Sequence, residues 1–87
     1  MPSFLNLKNF NSAPINIEST GAVSIRCMGD FGAGEVRILM RSVDGEFYAL
    51  DKLTFTKNTM VAVELHPDDA IQIQAYNCND VSVQVIL

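Results

Sequence analysis

The chain has 87 residues, which limits it to one small domain with a single thin core. Hydrophobic residues make up 48% of the sequence and charged residues 18%, so the chain is too apolar and too weakly charged to stay disordered. The net charge of −4 comes without any basic stripe, which argues against nucleic acid as a partner. No apolar run approaches the roughly 20 residues of a membrane helix, so we expect no membrane partner either.

The first 13 residues differ in pattern from the rest of the chain. Their apolar side chains are spaced by asparagine and lysine, and the segment has neither a helix cap nor a sustained helical period. We interpret residues 1–13 as an extended N-terminal arm that adds to a neighbouring subunit. Its candidate partner-binding anchors are Phe4, Leu5, Leu7 and Phe10. The alternative is a first strand or edge segment that packs on its own domain.

From Pro14 onward the hydrophobic period is two, which is typical of β-strands. About eight short strands are predicted, near residues 15–17, 23–28, 36–41, 46–50, 53–56, 60–65, 71–76 and 81–87. Turn residues separate them, and no stretch has a helical pattern. The pattern predicts an all-β fold in which residues 14–87 form a single small antiparallel β-sandwich, of jelly-roll or immunoglobulin-like type.

A glycine-rich segment, residues 29–34, is the first candidate for a binding site. It lacks the lysine and hydroxyl residue of a P-loop, and no helix N-terminus follows it to bind an anion. The flanking Asp30 and Glu35 would repel phosphate. We therefore expect a hairpin loop in which the glycines adopt positive φ.

The segment 66–69 gathers the single histidine, His66, with Asp68 and Asp69. A metal site needs three or four convergent ligands and a general base needs an oriented partner, whereas neighbouring residues of an extended chain point in different directions. We expect a surface turn here, with no metal and no catalytic role.

Cys27 and Cys78 have no neighbouring cysteine at metal-ligand spacing, and two cysteines are too few for a disulfide scaffold, so both are predicted to be free thiols. No motif surrounds Cys27 or the serines that would identify a nucleophile. The sequence thus predicts no catalytic residue, no cofactor and no enzymatic activity.

The order of turns and strands in the second half of the chain supports a resemblance. The glycine-rich turn feeds an alternating strand at 35–39, and a Ser42-Val43-Asp44-Gly45 turn is followed by the aromatic pair Phe47-Tyr48. A short strand at 61–65 and a valine-rich closing strand come next. Over roughly residues 21–87 this order resembles the small all-β structural proteins of tailed bacteriophages.

The resemblance implies a non-enzymatic virion protein, made in the host cytoplasm, that decorates or cements the capsid. It would bind the outer shell, bridge capsid subunits, and have the major capsid protein or another virion protein as its partner. A symmetric homo-oligomer, a dimer or trimer, is expected. The alternatives are a tail or head-fibre component, a small carbohydrate-binding β module, and an accessory subunit of a larger enzyme. Only Tyr48 and Tyr76, with no tryptophan, are available for a sugar platform.

Overall fold

Alternating apolar residues build nine strands over residues 3–87, the part of the chain that the structure, a computed structural model, describes. They are β1 (Ser3–Leu7), β2 (Phe10–Asn11), β3 (Ile15–Asn16), β4 (Gly21–Asp30), β5 (Glu35–Arg41), β6 (Phe47–Phe55), β7 (Thr59–Leu65), β8 (Ala70–Tyr76) and β9 (Asp80–Ile86). All pairings are antiparallel, and two sheets pack face to face. The predicted all-β sandwich is confirmed.

Sheet A has four strands in the order β1-β9-β4-β7. Sheet B has five, in the order β2-β8-β5-β6, and β3 also pairs with β8. Only β5 and β6 form a hairpin within one sheet, while β2 and β3 follow one another along the same side of β8. Every other connection among the nine strands crosses from one sheet to the other.

The core lies between the two sheets and is built from the inward-facing half of each alternating strand. The inward row of β4 belongs to this core, because Val23, Ile25 and Cys27 are at most 4% exposed. The largest fully buried side chains are Ile25, Ile38, Ile71, Ile73, Val36, Val81, Val83, Val85 and Cys27. Both sheets therefore contribute β-branched side chains from their inner faces to one continuous hydrophobic cluster.

The glycine-rich segment corrects one prediction. β4 lies in sheet A and β5 in sheet B, so residues 31–34 join two sheets and do not form the expected hairpin loop. The predicted positive φ is present at Gly29 (137°) and Gly32 (56°). Phe31 is buried in the same connection, and its side chain closes this end of the core. The buried Phe31 anchors this connection where it passes over the core.

Residues 3–13 lie along the edges of both sheets. β1 pairs with β9, where Phe4 is opposite Val83, and β2 pairs with β8. The described part of the predicted arm thus follows the other alternative, an edge segment packed on its own domain. Met1 and Pro2, the first two residues of that predicted arm, lie outside the described residues.

Two segments that were predicted as separate strands form one strand, β6, with a bulge in its middle. Arg37 of β5 pairs with Thr54 of β6, and Leu39 pairs with Ala49, so residues 50–53 lie opposite Ile38 alone. The two segments predicted at 46–50 and 53–56 are the two ends of β6, and the residues between them bulge from the ladder.

Candidate functional site

The four predicted arm anchors do not share one surface. Leu7 is buried in the core, while Phe4 and Phe10 are partly buried against it. The rings of Phe4 and Phe10 lie with their centroids 5.2 Å apart, which links the edge of sheet A to the edge of sheet B. Only Leu5, at 67% exposure, points away from the domain. Three of the four therefore hold the chain's own edges together.

A bulge in β1 explains this division. Residues three apart in a regular strand point to opposite faces, yet Phe4 and Leu7 both face the core. The register shifts between these two residues, and Asn6 has a φ of 58°. The bulge turns Leu7 inward and leaves Leu5 on the outer face of sheet A.

The outer face of sheet A carries the most pronounced exposed apolar group. Leu5, Met28 and Met60 are 67%, 47% and 63% exposed. Arg26 lies opposite Met60 on one side and opposite Gln84 on the other. We call Leu5, Arg26, Met28 and Met60 the sheet A patch.

A shallow groove of about 340 Å³ runs through this patch. Its lining includes Leu5, Arg26 and Met28, together with Ser82 and Gln84 of β9. The flexible side chain of Met28, beside Leu5, can adapt its shape to an apolar partner. Such a surface suits contact with a partner protein.

A second groove, of about 400 Å³, lies where the chain enters β4. It is lined by the continuous segment 16–23 and by Leu87. Glu18 is the one ionisable side chain in this lining. The groove follows a single stretch of chain and brings no distant polar groups together.

The outer face of sheet B is polar. Arg37 donates from Nε to Glu35 Oε2 at 2.6 Å, and this carboxylate raises the pKa of Arg37. Gln74 donates to Asn11 Oδ1 at 2.9 Å across the β8–β2 ladder. Tyr76 lies opposite Glu35 and is 62% exposed. These residues form a ladder of polar groups with one tyrosine at its end.

The two tyrosines do not form a common platform. Tyr76 is opposite Glu35 of β5, and Tyr48 is opposite Met40, five positions along the same strand. At about 3.4 Å per residue, roughly 17 Å separate the two positions. The Tyr48 hydroxyl donates to Asp44 Oδ2 at 2.7 Å, which raises the pKa of Tyr48.

The segment 66–69 forms the predicted surface turn. The Asp69 backbone N–H donates to the His66 carbonyl at 3.0 Å, and the His66 N–H donates to Asp69 Oδ2 at 2.8 Å. The Asp69 carboxylate thus caps its own turn. Within residues 3–87 no three histidine, cysteine or acidic side chains come together as a metal site.

Cys27 and Cys78 are both free and buried. Burial raises the pKa of the Cys27 thiol to about 12, and it also raises the pKa of Cys78. A thiol is nucleophilic only as the thiolate, so a raised pKa lowers the nucleophilicity of both groups at neutral pH. The sequence pattern around Cys78 did not reveal that this residue is buried.

Sequence reasoning did not reveal that Met28 and Met60 lie near each other on one face. Alternation assigns a residue to a face, whereas the pairing of β4 with β7 decides which outward residues become neighbours. Sequence reasoning also missed Ser12, a buried polar residue that no motif marks.

The part of the chain that the structure describes has no helix of the length and apolar character required to cross a lipid bilayer. Comparisons with protein-family models, with curated proteins and with solved structures found no match for this chain.

Proposed function

We propose that the protein is a non-enzymatic structural protein of a tailed-phage virion, which binds the outer capsid shell and bridges capsid subunits. The sheet A patch is the observation that carries this proposal. Large apolar side chains at Leu5, Met28 and Met60 are exposed on one flat sheet, where a partner protein would remove them from water.

The strand order supports the same proposal. If β2 and β3 are taken as one interrupted strand, sheet A reads 1-9-4-7 and sheet B reads 2/3-8-5-6, with a single hairpin at β5–β6. We infer that this is the order of a jelly roll, in which all connections but one cross between two four-stranded sheets. Viral capsid proteins and lectins use this architecture.

The bridging element differs from the arm that the sequence suggested. Residues 3–11 pair with β9 and β8, and releasing them would expose Leu7 and break two ladders. A bridge built on the rigid sheet A patch avoids that cost. Capsid binding would then stabilise the shell by mass action on the assembled state.

Sedimentation with capsids from the native source tests the proposal. We expect the wild-type protein to co-sediment with mature capsids, and Leu5→Asp and Met28→Asp to weaken binding at least about tenfold. Val43→Asp is the matched control, because Val43 is fully exposed in the β5–β6 turn and the substitution adds the same charge. Failure of the wild type to bind would contradict the proposed function. Equal binding by all variants would exclude the sheet A patch as the capsid contact.

Carbohydrate binding is a second candidate, and the polar ladder on sheet B favours it. Gln72, Gln74, Arg37 and Glu35 present donors and acceptors beside Tyr76, which supplies one stacking surface. A glycan array with wild type and Tyr76→Ala separates the candidates. Binding that disappears in Tyr76→Ala would favour the sugar site, and an empty array would remove it.

A further inference from the structure

The two sheets have four edges, and three of them carry features that prevent pairing with another chain. β1 is bulged at Asn6, and the edge formed by β2 and β3 is interrupted by a break that contains Pro14. β6 is bulged over residues 50–53. Bulges, proline and short strands are the usual ways in which proteins protect an edge from a neighbour.

β7 (Thr59–Leu65) lacks these protections. It pairs with β4 at seven successive positions without a register shift, and it contains no proline and no basic residue. Its inward side chains Val61 and Val63 pack against the core but stay partly exposed. The edge is therefore open both at the backbone and at the side chains that a further strand would cover.

We propose that β7 pairs with β7 of a second copy of this chain, antiparallel and about a two-fold axis normal to sheet A. The product is an eight-stranded sheet in an isologous dimer. A two-fold axis of this kind keeps every residue on its own face, so paired positions must differ by an even number. This interface does not depend on the proposed virion function.

Charge selects one register, the one centred on Ala62. Val61 then lies opposite Val63 of the partner subunit, and Met60 lies opposite Glu64 of the partner subunit. Arg26 is already opposite Met60 within sheet A. Arg26 and the partner's Glu64 thus occupy the same row, about 10 Å apart between Cα atoms, and the long side chains can meet above Met60.

The symmetry of the dimer repeats this pair, so each interface contains two Arg26–Glu64 contacts. Moving the centre to Val61 or Val63 takes Glu64 out of the Arg26 row. The second copy is therefore complementary to β7 in backbone, in apolar side chains and in charge.

Sedimentation-velocity analysis from about 1 µM to about 1 mM tests the dimer, because this range brackets weak and moderate protein pairs. We expect a concentration-dependent monomer–dimer equilibrium in the wild type. Ala62→Lys puts two lysines directly opposite each other and should weaken association at least tenfold. Val43→Lys is the control, because Val43 is fully exposed in the β5–β6 turn away from β7, and it should leave association unchanged.

Exchanging the charges of Arg26 and Glu64 tests the register centred on Ala62, and it does not require a new buried group. Arg26→Glu and Glu64→Arg should each weaken the homodimer, and an equimolar mixture of the two variants should restore dimers. A wild type that stays monomeric, polymers in place of dimers, or a mixture that fails to re-associate would overturn the proposal. Circular dichroism confirms that each variant is folded before its association is measured.

Discussion

Ser12 and Ile73 exchange two hydrogen bonds at the edge of sheet B. The Ser12 backbone N–H donates to the Ile73 carbonyl at 2.9 Å, and the Ile73 N–H donates to Ser12 Oγ at 2.9 Å. Ser12 lies between β2 and β3, where regular pairing with β8 is interrupted. Its hydroxyl therefore replaces a missing backbone acceptor on a buried stretch of β8.

We expect Ser12→Ala to lower the free energy of unfolding by about 1–3 kcal/mol, because the Ile73 N–H would be buried without an acceptor. Urea unfolding followed by circular dichroism measures the loss. Ser19→Ala, in the exposed loop before β4, should change stability by less than about 0.5 kcal/mol. Equal effects of the two substitutions would show that the Ser12 hydroxyl has no structural role.

Alanine substitutions at the predicted arm anchors Leu7 and Leu5 should differ strongly in their effect on stability. Leu7→Ala removes a buried core side chain and should cost about 2–5 kcal/mol of unfolding free energy. Leu5→Ala removes an exposed side chain and should cost less than about 0.5 kcal/mol. Thermal unfolding of both variants checks the difference, and a stable Leu7→Ala protein would mean that β1 is not part of the core.

Gly34 should not tolerate a side chain. A Cβ atom there would overlap the backbone carbonyl groups of Tyr76 and Asn77, which cannot rotate away. We expect Gly34→Ala to destabilise the protein by about 1–3 kcal/mol through this overpacking. Gly21→Ala is the control, since open space surrounds that position, and it should be neutral or stabilising by up to about 1 kcal/mol.

Cys27 makes stability depend on pH in the alkaline range. Burial raises the thiol pKa from 9.0 to about 12, so the folded state keeps a proton that the unfolded state loses. The resulting stabilisation is complete below pH 9 and is lost as the pH rises toward 12.

Between pH 9 and pH 12 the free energy of unfolding of the wild type should decrease with rising pH. Its slope should be steeper than that of Cys27→Ala by about 1.4 kcal/mol per pH unit. Urea unfolding at several pH values between 8 and 11 gives both profiles. The slopes are compared, because the substitution itself changes the absolute stability. Parallel profiles would contradict a buried neutral thiol.

Most of the strands could be predicted from the sequence because each buries one face. The alternation predicted strands where β4, β5, β8 and β9 lie, and the inward residues Val23, Ile38, Ile73 and Val83 of these strands are buried. The two halves of β6 were also recognised, since the bulge between them interrupts the period. These features are local, and a single chain segment contains them.

Pairing could not be predicted in the same way. Alternation is equally compatible with a hairpin or a crossover after Asp30, and the choice depends on the partners that β4 and β5 find elsewhere. The sheet A patch depends on such pairing, because Met28 and Met60 become neighbours only when β7 joins β4. The same applies to residues 3–11, whose few apolar side chains suit either an arm or an edge.

The central position of β9 in sheet A governs when this protein can fold. β9 separates β1 from β4, so the first and last strands of the described chain are direct neighbours. A ribosome adds about 5–20 residues per second, and the centre of sheet A has no occupant until residue 86 has left the exit tunnel. Sheet A can therefore be completed only after β9 has emerged, and pairing strands that are so far apart in sequence makes folding slow, in the millisecond-to-second range typical of all-β proteins.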